Sequence, residues 1–233
     1  QLCSTDVNFC VINSRLCFIC FTGPRNWKHI YSECDGLQQS PVNIKTKNTT
    51  FSGYLYQSVL SWKYVNGDSR ALVSILVCSQ VDLPTGIEIS GGGLSETYIA
   101  AQFHFHWGSD EFYGSEHTVD GEKYPMEVNI HTPIFLYKTN EQSFLQPIGF
   151  SIITLHPNEY SAHIISHFFL IIQFKTKKVT TNFSTLDKLI PINELKVYYR
   201  YNGSLTTPPC NETVIWTLFN TTIKLSKLQV ITF

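Results

Sequence analysis

Two histidines separated by one residue are the part of this chain best suited to chemistry. His104 and His106 lie in the alternating apolar stretch 102–108, which reads QFHFHWG. On a β-strand, residues two apart point to the same face of the sheet, so the two imidazoles would stand side by side. A catalytic zinc ion usually takes three protein ligands and leaves a fourth position open for water. The pair therefore predicts half of a zinc site on a strand, to be completed by a third ligand from elsewhere.

The rest of the chain has the pattern of the strands that such a site requires. From residue 40 to residue 110, short apolar or alternating runs are broken by Gly, Pro, Asn and Asp, which predicts several strands with tight turns. Residues 123–137, 147–155 and 196–218 predict further strands. The spacing of apolar residues predicts a helix at 157–172 and a shorter one at 186–189. No repeat or linker divides the sequence, so we predict one mixed, β-rich domain.

Composition limits the classes of function. The chain has 233 residues, of which 43% are hydrophobic and 15% charged, which is typical of a packed globular protein. The net charge is −1 and Lys and Arg do not cluster, so no basic field is present to attract nucleic acid. The most apolar runs, 72–77 and 164–172, are far shorter than the roughly 20 residues of a membrane helix. We therefore interpret them as buried strands or helices.

Cysteines and glycosylation sequons favour an oxidising, secretory compartment. Four of the seven cysteines lie in the first 20 residues, and we expect residues 1–22 to form an irregular, cysteine-rich arm before a domain spanning 23–233. The odd number leaves at least one thiol free or paired between chains, and a lone CxxC spacing argues against a zinc ribbon. Five sequons occur where about two or three would arise by chance. The cysteines are Cys3, Cys10, Cys17, Cys20, Cys34, Cys78 and Cys210, and the sequons begin at Asn48, Asn182, Asn202, Asn211 and Asn220.

Four separate blocks of sequence carry a resemblance to a known family. They are residues 39–44 (QSPVNI), 102–108 (QFHFHWG), 114–121 (GSEHTVDG) and 201–209 (YNGSLTTPP). With these blocks in the same order, the chain resembles the α-class carbonic anhydrases, above all the secreted and membrane-anchored members. The match runs over roughly nine tenths of the chain, from about residue 23 to the end. It implies a single α+β domain around a large, mostly antiparallel twisted sheet with short peripheral helices.

The resemblance also implies an activity and a set of site residues. The reaction would be the reversible hydration of carbon dioxide to bicarbonate, with Zn²⁺ as cofactor. His104 and His106 match two zinc ligands, and Thr206 matches the threonine that orients the attacking hydroxide. Glu116 matches the buried carboxylate that accepts the proton of that threonine.

Further matches concern the support of the site. Gln102 and Glu127 match residues that hold ligand imidazoles through their other ring nitrogens, and His117 matches a structural histidine. Cys34 and Cys210 fall where extracellular members have a disulfide, which would brace the loop carrying Thr206. The substrate pocket would be lined by Leu205, Val214, Trp216 and Thr207, and ordinary core packing is an equally good interpretation of Val214 and Trp216.

The chain departs from the family at the third ligand. Asn129 stands where the family has a histidine, and its amide oxygen is a weak, neutral zinc ligand. His131 faces the same side but lies about 7 Å further along the strand, so it could replace the ligand only after a register shift. Val77 aligns with the histidine that relays protons, which leaves proton removal to buffer or water.

Both ends of the chain also differ from the family pattern. The aromatic cluster expected before residue 23 is not recognisable, and the sequence stops at Phe233, about 25–30 residues before family members end. The domain is therefore expected to be C-terminally truncated, and any membrane-anchor signal would lie outside this chain.

Three interpretations follow. The first is an extracellular zinc enzyme that acts on carbon dioxide and bicarbonate. The second is a catalytically impaired or inactive carbonic-anhydrase-related binding module, which Asn129 and Val77 favour. The third is a partial product that folds poorly, which the early stop and the odd cysteines favour.

Overall fold

The computed structural model describes nine stretches of the chain. They are residues 23–57, 61–64, 70–74, 80–83, 86–108, 113–132, 148–155, 179–182 and 196–224. The predicted N-terminal arm, the predicted helices at 157–172 and 186–189, Val77 and Cys78 lie outside these residues.

Thirteen strands and four short helical segments make up the described part of the chain, and the predicted β-rich α+β class is confirmed. The 3-10 helices are Pro24–His29, Ser32–Asp35 and Thr46–Asn48, and the α-helix α1 is Gly53–Gln57. The strands are β1 (Asn43–Ile44), β2 (Ser61–Tyr64), β3 (Arg70–Ser74), β4 (Gln80–Asp82), β5 (Ile87–Ser90), β6 (Tyr98–Ile99), β7 (Gln102–Trp107), β8 (Thr118–Val119), β9 (Met126–Thr132), β10 (Ile148–Leu155), β11 (Val179–Asn182), β12 (Tyr198–Gly203) and β13 (Val214–Lys224).

Eight of these strands form one mostly antiparallel sheet, in the order β11-β3-β4-β7-β9-β10-β13-β12. Only β10 and β13 run parallel among the described neighbours in this sheet. Two smaller sheets join β2, β5 and β6, and β1 with β8. Strands β7 and β9 lie side by side in the middle of the large sheet, so hydrogen bonds on both edges fix their register.

Alternating side chains give the β7–β9 pair one apolar face and one polar face. Phe103 is opposite Ile130 and Phe105 is opposite Val128, and all four are almost fully buried. Burial of each such side chain contributes about 1.5–3 kcal/mol. Because successive residues of a strand point to opposite faces, this packing directs the histidines of β7 to the other face.

A turn of three glycines connects β5 to β6, within the region where the sequence predicts strands with tight turns. Gly91, Gly92 and Gly93 all have positive φ (76°, 57° and 75°), a conformation that residues with a Cβ rarely adopt. They form the turn between β5 and β6. Gly23 also has positive φ and precedes the helix that starts at Pro24. No helix in the described ranges has the length and hydrophobicity needed to cross a membrane.

Candidate functional site

The polar face of β7 and β9 brings six polar side chains together in three cross-strand pairs. His104 is opposite Asn129, His106 is opposite Glu127, and Gln102 is opposite His131. The rings of His104 and His106 are 4.8 Å apart between centroids and inclined at 74°. Directly opposite side chains on antiparallel strands lie about 4.5–5.5 Å apart at Cβ. The two imidazoles and the Asn129 amide therefore share one small region of the sheet.

Burial keeps both imidazoles neutral. Burial, together with the nearby imidazoles of His106 and His131, lowers the pKa of His104 to about 3. Burial lowers the pKa of His106 to about 4, although the carboxylate of Glu127 opposes the shift. At neutral pH both rings thus present the unprotonated form that binds metal ions.

Four buried atoms in this region have no hydrogen-bond partner. They are Nδ1 and Nε2 of His106, Oε2 of Glu116 and Oδ1 of Asn129. A buried polar atom without a partner costs about 1–3 kcal/mol, so such groups are rare unless a water molecule or an ion completes them. The unprotonated nitrogen of His106 and the oxygen of Asn129 would both be stabilised by a cation.

Gln102 orients His104 as the resemblance implies. Its Oε1 lies 3.0 Å from Nδ1 of His104. A carboxamide oxygen accepts a hydrogen bond, so Nδ1 carries the proton and Nε2 is left with its lone pair. This is the arrangement by which a second polar residue fixes the tautomer of a metal-binding histidine.

Glu127 holds a turn of the backbone. Its Oε2 accepts hydrogen bonds from the backbone N–H groups of Glu116 and His117, both at 2.8 Å, and its Oε1 accepts one from Nδ1 of His117, also at 2.8 Å. Through these bonds to the backbone, the carboxylate of Glu127 fixes the position of Glu116. The family pattern would also place a ligand imidazole at residue 129, but this chain has the Asn129 amide there.

Glu116 and Thr206 are hydrogen-bonded to each other. Burial, and next the charge of Glu127, raise the pKa of Glu116 above its ordinary value of 4.5, while the hydrogen bond from Thr206 acts in the opposite direction. Oε2 of Glu116 lies 3.5 Å from Nε2 of His106. This contact is not an ion pair at neutral pH, because the lowered pKa of His106 leaves its ring uncharged.

His131 does not replace the missing ligand in this register. The β7–β9 ladder runs without a bulge from Gln102↔His131 to Trp107↔Met126. His131 is half-buried, and burial lowers its pKa. The register shift that would bring it opposite His104 is absent. Within the described ranges, no three His, Cys, Asp or Glu side chains are grouped to hold a metal ion.

The loop after β12 carries Thr206 and is fixed at both ends. Cys34 and Cys210, which the resemblance pairs, form a disulfide bond. Nε1 of Trp216 donates a hydrogen bond to the carbonyl of Ser204 at 3.0 Å. Of the expected pocket residues, Trp216 and Val214 are buried in β13, whereas Leu205 and Thr207 are half-buried in the loop.

A buried chain of hydrogen bonds connects this loop to Glu127, and sequence reasoning did not identify it. Nε2 of His117 accepts from the Tyr201 hydroxyl at 2.6 Å, and Oγ of Ser40 lies 3.0 Å from the same hydroxyl. Ser40 and Ser204 then exchange two backbone-to-hydroxyl hydrogen bonds, at 2.9 and 3.1 Å. Ser40 and Tyr201 lie within the first and last of the four sequence blocks that resemble the family. Their place in these blocks is the only feature of the sequence that could have pointed to the hydrogen bonds.

The donor set fits a zinc ion with one weak ligand. His104 and His106 supply two neutral imidazoles, and Asn129 supplies a buried amide oxygen without a hydrogen-bond partner. Imidazole is a strong zinc ligand, whereas a neutral amide oxygen is a poor one. If zinc binds here, these three residues would hold it, with an affinity that depends on Asn129.

Known proteins match this chain over most of its length. The family model for the eukaryotic-type carbonic anhydrase matches residues 22–233. Bovine carbonic anhydrase 6 is 31% identical over 215 residues, covering 88% of this chain and 66% of the relative. Carbonic anhydrase 15 of Mus musculus is 32% identical, covering 91% of this chain and 69% of the relative. Carbonic anhydrase 4 of Mus musculus is 31% identical, covering 91% and 68%. The chain thus spans about two thirds of the length of each of these relatives, and it belongs to the eukaryotic-type carbonic anhydrase family.

Proposed function

We propose that this protein binds Zn²⁺ through His104, His106 and the amide oxygen of Asn129, and that it catalyses the reversible hydration of carbon dioxide. The observation that supports this most strongly is the buried Oδ1 of Asn129, which lacks a hydrogen-bond partner and stands opposite His104. Zinc, when bound, supplies a Lewis acid that makes hydroxide available from water near neutral pH.

The residues of the chain orient the reactants. The carboxylate of Glu116 accepts the hydrogen bond of Thr206, which turns the lone pairs of the threonine oxygen towards the attacking group. Glu127 holds Glu116 in place through its backbone N–H. Leu205, Val214, Trp216 and Thr207 line the pocket in which the apolar substrate would be held. Proton removal would rely on buffer or water, because Val77 aligns with the relay histidine.

A second candidate function is a binding module without catalysis. It is favoured by the amide at residue 129 and because no three His, Cys, Asp or Glu side chains in the described residues are grouped to hold a metal ion. The two functions differ in whether the folded protein retains zinc.

Zinc retention in wild type and in two variants of residue 129 tests the proposal. Wild type, Asn129→His and Asn129→Leu would be dialysed against buffers of fixed free zinc, and zinc content, thermal unfolding and hydratase activity measured. We expect affinity in the order His, Asn, Leu, with a gain of roughly 100-fold for Asn129→His because imidazole replaces amide. Asn129→Leu has similar volume and no donor atom, so it is the matched control.

Two outcomes would contradict the proposal. If Asn129→Leu binds zinc as tightly as wild type, the amide is not a ligand. If folded wild type binds no zinc at micromolar free zinc while Asn129→His does, the binding-module function leads.

We also propose an extracellular location by the secretory route. The Cys34–Cys210 disulfide is compatible with it, and the similarity to carbonic anhydrases 6, 15 and 4 supports it.

A further inference from the structure

The sequons differ in how the folded protein presents them. Each sequon consists of an acceptor Asn and a Ser or Thr two residues later, and both are read by the enzyme that attaches N-linked glycans. Asn48, Asn202, Asn211 and Asn220 are all exposed. The hydroxyl-bearing residues of these sequons range from exposed to fully buried.

Among the sequons whose three residues the structure describes, two keep both the acceptor and the hydroxyl-bearing residue exposed after folding. Asn48 ends a short 3-10 helix, and Thr50, the third residue of its sequon, is exposed. Asn211 directly follows the disulfide-bonded Cys210, and Thr213 is likewise exposed. The disulfide is compatible with folding in an oxidising compartment, which is where N-linked glycosylation occurs. At Asn220 the third residue, Thr222, is half-buried within β13.

Folding buries the hydroxyl group of the sequon at Asn202. Its third residue, Ser204, is fully buried, donates its hydroxyl to the carbonyl of Leu205 at 2.8 Å and accepts from the backbone N–H of Ser40 at 2.9 Å. The space beside Gly203 is filled by the side chains of Ser40, Tyr201 and Trp216. A transferase could therefore reach this hydroxyl only before residues 40 and 204 come together.

We propose that Asn48 and Asn211 carry N-linked glycans, and that Asn202 is modified only in chains that have not yet closed the Ser40–Ser204 contact. The donor is an oligosaccharide held on a lipid pyrophosphate. Nδ2 of the asparagine forms a bond to C1 of the first sugar, and the bond from C1 to the pyrophosphate oxygen breaks. The lipid pyrophosphate leaves, and one proton of Nδ2 passes to a base of the transferase.

Site-by-site occupancy in the secreted protein tests this proposal. The full chain would be expressed through the secretory route of cultured eukaryotic cells, and each sequon measured by mass spectrometry after enzymatic deglycosylation in ¹⁸O water. We expect Asn48 and Asn211 to be modified in most molecules and Asn202 several-fold less. A brief dithiothreitol treatment during synthesis delays the Cys34–Cys210 bond, and it should raise occupancy at Asn202 several-fold.

Matched substitutions identify each site without altering the acceptor. Thr213→Ala removes the Asn211 sequon and should remove one glycan, whereas Thr213→Ser keeps the sequon and should keep the glycan. Thr50→Ala and Thr50→Ser are the corresponding pair for the sequon at Asn48. The proposal is overturned if the secreted, disulfide-bonded protein lacks glycans at Asn48 and Asn211. It is equally overturned if Asn202 matches Asn211 in occupancy and does not respond to dithiothreitol.

Discussion

The side chain at residue 129 determines how strongly the candidate centre can hold a metal. Around it, Gln102 orients His104 and Glu127 holds the backbone of Glu116, whereas the ring nitrogens of His106 and Oε2 of Glu116 have no hydrogen-bond partner. Asn129 offers one buried oxygen, whose lack of a partner costs about 1–3 kcal/mol. A ligand that reaches this oxygen would therefore also stabilise the fold.

Glu116 should make stability depend on pH. Its folded pKa is raised, mainly by burial, so the folded protein holds this proton more tightly than the unfolded chain. Its ionisation therefore destabilises the fold as the pH rises above the unfolded pKa of about 4.5. In Glu116→Gln this contribution is absent, and we expect the variant to gain stability relative to wild type, by about 1 kcal/mol or more, between pH 4.5 and neutral pH.

Urea unfolding of both proteins in the presence of a chelator, at a series of pH values, measures this difference. The lowered pKa values of His104 and His106 act in the opposite direction, since they reduce stability as the pH falls below about 6.5 in both proteins. Because both proteins contain these two histidines, their contributions cancel when the unfolding free energy of wild type is subtracted from that of the variant. A difference that does not change with pH would show that Glu116 does not titrate as inferred.

Between elements, the link from Ser40 through Tyr201 and His117 to Glu127 joins β12 to β9 and to the loop of Thr206. Because Nδ1 of His117 donates to Glu127, its Nε2 must accept from the Tyr201 hydroxyl. Each bond in this link therefore has one direction. Removing the hydroxyl leaves a buried ring nitrogen without a donor.

Tyr201→Phe should cost about 1–3 kcal/mol of unfolding free energy. Tyr199→Phe is the matched control on the same strand, since its hydroxyl contacts the exposed Asn220 at only 3.4 Å; we expect less than about 0.5 kcal/mol for it. Chemical denaturation of both variants measures the two costs. Equal costs would contradict a structural role for the buried chain.

The sequence predicted the strands better than their partners. Alternation in QFHFHW placed His104 and His106 on one face, because the period of a strand decides faces. It could not decide which residue of β9 stands opposite His104, since register depends on the packing of both faces. The chain of hydrogen bonds was missed because Ser40, His117 and Tyr201 are far apart in sequence. The candidate ligands were predictable, and the network that supports them was not.

Across the whole molecule, the Cys34–Cys210 bond joins residues 176 positions apart. The bond closes a long loop and so restricts the conformations of the unfolded chain. We therefore expect the free energy of unfolding of the Cys34→Ser/Cys210→Ser double variant to be roughly 3–5 kcal/mol lower than that of wild type. Thermal unfolding with and without reductant checks this prediction. Reductant should lower the melting temperature of wild type far more than that of the double variant, and an equal shift in both would assign the effect to other cysteines.

The same bond gives the protein a ring topology that encloses β7 and β9. A protease that cuts one peptide bond between residues 34 and 210 opens the ring but releases no fragment, because the two pieces stay covalently joined until the disulfide is reduced. Such a nicked molecule would retain its full mass on a non-reducing gel. Where no reductant is present, one cut would therefore leave both strands of the candidate metal centre attached to the same molecule.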